Sequence, residues 1–209
     1  MAARNTRDYH FLMTIEYYNQ NAQSFVDGTL NVDMDSLYAP FVELLPKQAL
    51  ILDAGCGSGR DTKAFLDMGY SVEAIDASLA MVNHATSYTG INIEKKTFQQ
   101  VEAKEKYDGI WACASLLHVP RNELLDVFTK LSVALKAGGI WYFSFKYGSE
   151  DRHKDGRSFT DMDEPSIQLL INKLVNLVIL NTWLTVDARP DREEKWLNVI
   201  VQKNTLIRS

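Results

Sequence analysis

The sequence predicts an α/β protein of three layers. A mostly parallel seven-stranded sheet lies between helices and ends in an antiparallel C-terminal hairpin. Three observations predict it. Strand-like apolar runs alternate with helical stretches through most of the chain, the pattern of a parallel sheet with helices on both faces. Runs such as Ala49–Ala54 are apolar throughout, as a strand buried between helices must be. The last two strand-like runs have no helix between them, so they should pair antiparallel.

Taken in order, Thr6–Asn19 places Phe11, Leu12, Ile15 and Tyr18 on one helical face. Met34–Leu45 reads as a short helix closing at Pro46. Ala49–Ala54 is the first strand, followed by Gly55–Gly59 and a helix over Asp61–Met68 that stops at Gly69. Ser71–Asp76 is the second strand, and Ser78 caps a helix over Ser78–Thr86. Glu94–Phe98 is a weaker strand and Tyr107–Ala114 a strong one. Asn122–Lys136 is amphipathic, with Leu124, Val127, Phe128, Leu131 and Leu135 on one face. Gly138-Gly139 ends it before a strand at Ile140–Phe145. Pro165–Leu174 is helical. Leu177–Val186 and Trp196–Gln202 are the final strands, joined by a polar connection containing Arg189-Pro190. Residues 1–48 thus make a helical lid on a core at 49–209, and 209 residues suit one domain.

Composition narrows the function. The chain is 46% hydrophobic and 23% charged, an ordinary soluble balance. Its net charge of -5 weighs against a nucleic-acid partner, because such domains usually present a basic face. The opening MAARNTRDYH has no apolar h-region, and the stretch Leu174–Leu180 is too short to span a bilayer. The expectation is therefore a cytoplasmic protein with no membrane partner. Cys56 and Cys113 lie far apart and outside any CxxC pair, so they read as reduced thiols and no metal is expected. Nothing in the sequence sets the oligomeric state.

The loop Ile51–Arg60, ILDAGCGSGR, lies between a strand and a helix. Its glycines allow a tight turn and a close approach of ligand to backbone. No Gly-Lys-Ser/Thr follows, which removes a phosphate-loop NTPase. The dinucleotide pattern GxGxxG needs glycine where Arg60 stands. Asp53, two residues before the first glycine, would repel a pyrophosphate and favour a sulfonium or an α-ammonium group. These features disfavour an NAD-dependent oxidoreductase. Asp76 ends the second strand, where a carboxylate can accept both ribose hydroxyls.

These segments resemble class I S-adenosylmethionine-dependent methyltransferases. DAGCGSG at 53–59, with Asp76 on the next strand, resembles that family's motifs I and II. YDGIWACASLLHVP at 107–120 resembles its fourth-strand motif, and Ala137-Gly138-Gly139 its KPGG turn with Ala for Pro. The runs GCGSGRD, FKYG and YNQNAQSF are similar to bacterial methyltransferases of the tellurite-resistance-like type. The resemblance covers roughly Ala49–Phe145. It implies a Rossmann-like fold, S-adenosyl-L-methionine as cofactor, and methyl transfer to a small-molecule acceptor such as a metalloid oxyanion, tellurite among them. A noncatalytic or regulatory S-adenosylmethionine-binding module is the alternative.

Carried over by residue, the resemblance puts Gly55, Cys56 and Gly57 against the methionine and ribose, with Asp53 facing the methionine end. Asp76 would hold the ribose and Ala77 the adenine. Phe98 and Gln99 follow the third strand, Gln99 standing where the family often has an acidic residue for the adenine amino group. The backbone from Ala112 through Cys113 to Ser115 would meet the α-amino group. Arg60 either pairs with the cofactor carboxylate or is a surface arginine at a helix start. His118 is a general base, an acceptor-binding group or a hydrogen-bonded loop histidine. Tyr17 and Tyr18 either close over the cofactor or pack. Lys146 and Arg157, joined by Arg189, would bind an anionic acceptor; Glu150, Asp151 and Asp155 in the same stretch also suit a solvated charged loop.

Overall fold

The strands of this protein are apolar on both sides because both sides are covered. In the computed structural model, residues 6–189 and 192–204 are described, with side chains from residue 12 onward, so Phe11 and Pro190 lie outside the described side chains. The elements are α1 (Thr6–Gln20), α2 (Ala22–Thr29), α3 (Asp35–Val42), β1 (Leu50–Ala54), α4 (Arg60–Asp67), β2 (Ser71–Asp76), α5 (Leu79–Thr89), β3 (Glu94–Lys95) and β4 (Tyr107–Ala112). They continue with α6 (Leu124–Ala134), β5 (Leu135–Lys146), β6 (Asp151–Lys154), β7 (Arg157–Thr160), α7 (Glu164–Ile171), β8 (Leu177–Val186) and β9 (Lys195–Lys203).

Seven strands form one sheet in the order β3-β2-β1-β4-β5-β9-β8. β1 pairs in parallel with both β2 and β4, so the chain changes direction across the sheet at β1. β9 runs antiparallel to β5 and β8 and sits between them. Alternate residues build two cores. Ile51, Trp111, Tyr142 and Ile200 pack with Tyr38 and Phe41 of α3 and Phe65 of α4. Leu52, Ile110, Trp141, Phe143 and Val199 pack with Val127, Phe128 and Leu131 of α6 and Ile167 of α7. The α3–α4 face turns polar toward the carboxyl ends of its strands, where Asp53 and Ser144 succeed Ile51 and Tyr142. Ligands of open α/β sheets bind at that end of the strands, beside the switch point.

Four local readings are revised. First, α2 was not expected; it contains Gly28, which weakens the sequence signal for a helix. Second, β3 is only two residues long, because only Ile75 and Asp76 of β2 extend beside it. Third, Gly138-Gly139 lies inside β5: α6 stops at Ala134, Leu135 pairs with Tyr107, and a register shift between Tyr107 and Gly109 absorbs the extra residues. Fourth, the charged stretch after Lys146 forms the hairpin β6–β7. Asp155 and Gly156 turn it with φ of 52° and 75°, the left-handed pair that a two-residue hairpin demands.

Candidate active site

The site is assembled from loops at the carboxyl ends of β1, β2, β4 and β5, and roofed by α1. A small chamber of about 90 Å³ is lined by Asp76, Ala77, Met81, Phe98 and Ser115, among others. A larger cavity of about 500 Å³ lies beside it, bordered by Arg60, Cys113, Ser144, Lys146, Phe159 and Trp196, among others. Tyr18, Phe25, Gly55, Gly57, Ala114 and His118 border both. The two spaces therefore meet over the glycine loop.

Asp76 ends β2 beside that junction. One carboxylate oxygen accepts the Gly57 N–H at 2.9 Å and the other the Ser78 N–H at 2.8 Å. Each oxygen keeps a lone pair for a ligand hydroxyl. Burial pushes this carboxyl up, and the backbone donors oppose the shift. Ser78 also caps α5, its hydroxyl accepting from Met81 N–H at 3.3 Å and donating to Asn19 of α1 at 2.8 Å.

Gly55 has φ +82° and a closely filled surrounding: an added Cβ would lie 2.5 Å from Ser115 Cβ and 3.3 Å from the Phe98 ring. Ser115 cannot easily retreat, since its hydroxyl donates to Ala54 O at 2.7 Å. Gly55→Ala should cost about 2–4 kcal/mol from left-handed strain and overpacking, a fall in Tm of roughly 5–15 °C. Thermal denaturation checks this, and an unchanged Tm would mean that the loop yields freely.

Behind the loop lies a buried polar cluster. Asp61, at the start of α4, accepts from Arg60 Nε at 2.6 Å, Tyr38 O–H at 2.6 Å and Trp111 Nε1–H at 2.8 Å. Burial alone would raise its pKa, but the Arg60 charge and these donors hold it below the usual range. Asp53 accepts from the Thr62 hydroxyl at 2.5 Å, and burial together with the Asp61 charge pushes it up. Burial raises the Cys56 thiol, and the carboxyl groups of Asp53, Asp76 and Asp61 raise it further; Arg60 balances Asp61, while Asp76 lies beside the loop with no cation hydrogen-bonded to it. That field suits a cation and opposes a pyrophosphate.

The structure brings together many of the expected residues. Gly55, Gly57, Asp76, Ala77, Phe98, Ser115, Tyr18 and His118 border the small chamber. Cys56, Arg60, Cys113, Lys146, Arg157 and Arg189 border the large cavity. Asp53, Gln99 and Ala112 border neither. Asp53 turns to Thr62, and Ala112 is a core strand residue. Gln99 Nε2 donates to Glu123 at 3.0 Å, while its Oε1 is buried without a hydrogen-bond partner. Arg60 is held by Asp61. Lys146 pairs with Glu194 at 2.6 Å and Arg189 with Asp187 at 2.5 Å. Arg157 stacks over Tyr17 at 4.3 Å and lies 3.7 Å from Asp155. Sequence reasoning missed Phe25 and Asp61, while Ala114 falls within the Ala112–Ser115 backbone it named. Only Asp61 had a signal, two successive charges at a helix start.

His118 follows β4 in a short 3-10 turn, Leu116–His118. Its Nδ1 is 2.7 Å from Ser158 O, an acceptor, so Nδ1 carries the proton. Nε2 is therefore the lone-pair nitrogen and accepts the Tyr18 O–H at 2.9 Å.

Comparison with known proteins agrees with this geometry. Residues 51–139 match the family model described as a methyltransferase domain. No curated protein sequence matches the chain. Among solved structures, the 1,6-didemethyltoxoflavin-N1-methyltransferase of Burkholderia thailandensis, with 1,6-didemethyltoxoflavin and S-adenosylhomocysteine bound, aligns with a TM-score of 0.80 and 18% identity over 98% of this chain and 93% of that one. The magnesium protoporphyrin IX methyltransferase of Synechocystis, with S-adenosylmethionine bound, gives 0.67 and 20% over 98% and 100%. The N-methyltransferase NodS of Bradyrhizobium japonicum, with S-adenosylhomocysteine, gives 0.68 and 15% over 90% and 100%. At such identities these structures establish the shared Rossmann-like fold. The matched domain runs from β1 into β5 and carries the glycine loop and Asp76, which fit the cofactor. Residues 51–139 match a methyltransferase domain, and the chain shares its Rossmann-like fold with S-adenosylmethionine-dependent methyltransferases.

Proposed function

We propose that the chain methylates a small organic acceptor held in the 500 Å³ cavity. The observation that carries this reading is the junction between the two spaces, where Tyr18, Phe25, Gly55, Gly57, Ala114 and His118 border both. Asp76 would hold the ribose of S-adenosylmethionine, with Ala77 and Phe98 beside the adenine and Gly55 and Gly57 under the methionine. Bound there, the cofactor supplies an electrophilic methyl group. The chain's own work is to align the acceptor and exclude water. α1 acts as the lid. Asn19 ties it to Ser78 on the cofactor side, and Thr14 accepts the Ser158 N–H at 3.0 Å on the hairpin side.

The cavity's charges favour an uncharged or weakly polar acceptor over an oxyanion such as tellurite. Lys146, Arg189 and Arg60 each already hold a carboxylate of this chain, so an anion bound to any of them would have to displace Glu194, Asp187 or Asp61; Arg157, loosely paired with Asp155 at 3.7 Å, is the cation of this wall least committed to a carboxylate. The Burkholderia enzyme of similar fold, solved with 1,6-didemethyltoxoflavin, supports a small organic acceptor. No helix among the described residues is long and apolar enough to cross a membrane.

A labelled-methyl screen over organic amines, phenols, thiols, carboxylates and metalloid oxyanions tests the reading. Transfer to an organic class, with tellurite and selenite inert, is the expected result. Cofactor binding by calorimetry with no transfer to any acceptor would instead make the chain a noncatalytic module.

A further inference from the structure

Tyr18 and His118 stand at the junction of the two spaces, and cofactor binding as described needs neither an imidazole nor a phenol there. We propose that Tyr18 and His118 form a proton relay, and that the acceptor is therefore a molecule that must lose an O–H or N–H proton on methylation. The proposal rests on the reading of the large cavity as the acceptor site.

Three elements fix the relay. β7 presents Ser158 O to His118 Nδ1 at 2.7 Å, which leaves Nε2 as the lone-pair nitrogen. α1 presents the Tyr18 hydroxyl to that nitrogen at 2.9 Å. The same α1 is stitched to β7 one turn earlier, where Thr14 accepts the Ser158 N–H. The His118 ring lies between Tyr18 and Phe159, with ring centroids 5.5 Å and 5.1 Å away. The tautomer, the ring plane and the hydroxyl direction are thus set together. A histidine that merely filled space would not need its proton pinned on the far side and its lone pair aimed through a phenol at the methyl-transfer junction.

The acceptor's lone pair forms the new bond to the methyl carbon, and the electron pair of the broken carbon–sulfur bond stays on sulfur. The acceptor's proton passes to Tyr18 Oη while the Tyr18 proton passes to His118 Nε2. His118 ends as an imidazolium, its Nδ1–H still on Ser158 O, and loses that proton to solvent after product leaves.

The surrounding charges explain why the relay is neutral at rest. Facing Tyr18 are Arg157 of β7, Asp76 of β2, Tyr17 of α1 and Arg189 of the β8–β9 connection. Facing His118 are Arg157 and Lys146 of β5. Burial lowers His118 to about 4; the Ser158 bond opposes this, and Arg157 and Lys146 add to it. Burial raises Tyr18 while Arg157 opposes. Burial and these two cations therefore keep the His118 ring neutral at rest. Methyl transfer removes one positive charge from the junction as the proton brings one in, so the relay can accept it without adding to the local charge.

Two measurements test the relay. The first is nitrogen NMR of His118 in the S-adenosylhomocysteine complex. A neutral ring protonated on Nδ1 from about pH 5.5 to 8.5 is expected. The opposite tautomer, or titration at the ordinary value near 6.5, would overturn the proposal. The second is single-turnover transfer to p-cresol, which must lose a proton, and to pyridine, which has none. Tyr18→Phe should slow transfer to p-cresol by about 10²–10⁴-fold and slow transfer to pyridine at least about tenfold less than that. The p-cresol rate in this variant should rise tenfold per pH unit, because only ionised acceptor reacts, while the wild-type profile stays flat. Equal loss on both probes, or no loss, overturns the relay. Wild-type transfer to pyridine alone overturns the relay and leaves methyl transfer in the large cavity standing. Transfer to neither probe overturns both.

Discussion

Replacing Asp61 by alanine is expected to destabilise the fold by about 3–5 kcal/mol at neutral pH, the usual cost of removing one partner from a buried ion pair. The carboxylate holds Arg60 through Nε and Nη2, the Tyr38 hydroxyl and the Trp111 indole N–H. Its loss leaves three donors facing a void, one of them a cation with only a fifth of its side chain exposed. Asp61→Asn keeps the shape and removes the charge, so it should cost less than the alanine change. Chemical denaturation checks both, and a loss under about 1 kcal/mol for the alanine variant would refute the arrangement. The pH dependence has a definite sign. The folded pKa of Asp61 lies below its unfolded value, so its contribution is complete above the unfolded carboxylate range near 4 and disappears as pH falls through the folded value. Wild type and Asp61→Ala should therefore converge in stability in strong acid.

The largest effect on binding is expected at Asp76. Asp76→Ala should weaken S-adenosylhomocysteine by about 100-fold, or about 2.7 kcal/mol, for loss of a charged acceptor to two ribose hydroxyls. Part of that loss is indirect, since Gly57 N–H and Ser78 N–H lose the carboxylate that sets the loop. Asp76→Asn retains one acceptor oxygen and should fall between. Calorimetry measures both, with the melting temperature of the unliganded variants separating binding from folding. Unchanged affinity would place the nucleoside somewhere other than the small chamber.

Sequence alone reached the β1–loop–α4–β2 unit and Asp76 because that chemistry is local. Glycines at fixed spacing, an apolar strand before them and a carboxylate on the next strand all fall within 26 residues, Ile51–Asp76. The parallel sheet followed from the alternation of strands and helices, and the absence of a helix between the last two strands pointed to the antiparallel hairpin; the strand order is seen only in the structure. What escaped depends on distance along the chain. Arg60 reads either as a ligand for the cofactor carboxylate or as a surface arginine at a helix start, and its burial against Asp61 depends on Tyr38 and Trp111, 23 and 50 positions from Asp61. Lys146 is paired by Glu194, 48 positions on, and Tyr18 meets His118 across 100. No window of sequence contains such pairs. The β6–β7 hairpin is a different case: Asp155-Gly156 is the two-residue turn signal itself, hidden because the flanking residues are charged rather than alternately apolar.

The place of β9 between β5 and β8 governs the order in which this molecule can be completed. β8 leaves the ribosome before β9 but has no partner in the sheet until β9 has docked on β5. The part of the large cavity's wall supplied by Thr185, Trp196 and Asn198 is therefore among the last parts of it to be synthesised. The cofactor side, built from β1, β2 and β4, precedes it in synthesis. A nascent chain therefore carries the glycine loop and Asp76 before the strands that close the large cavity.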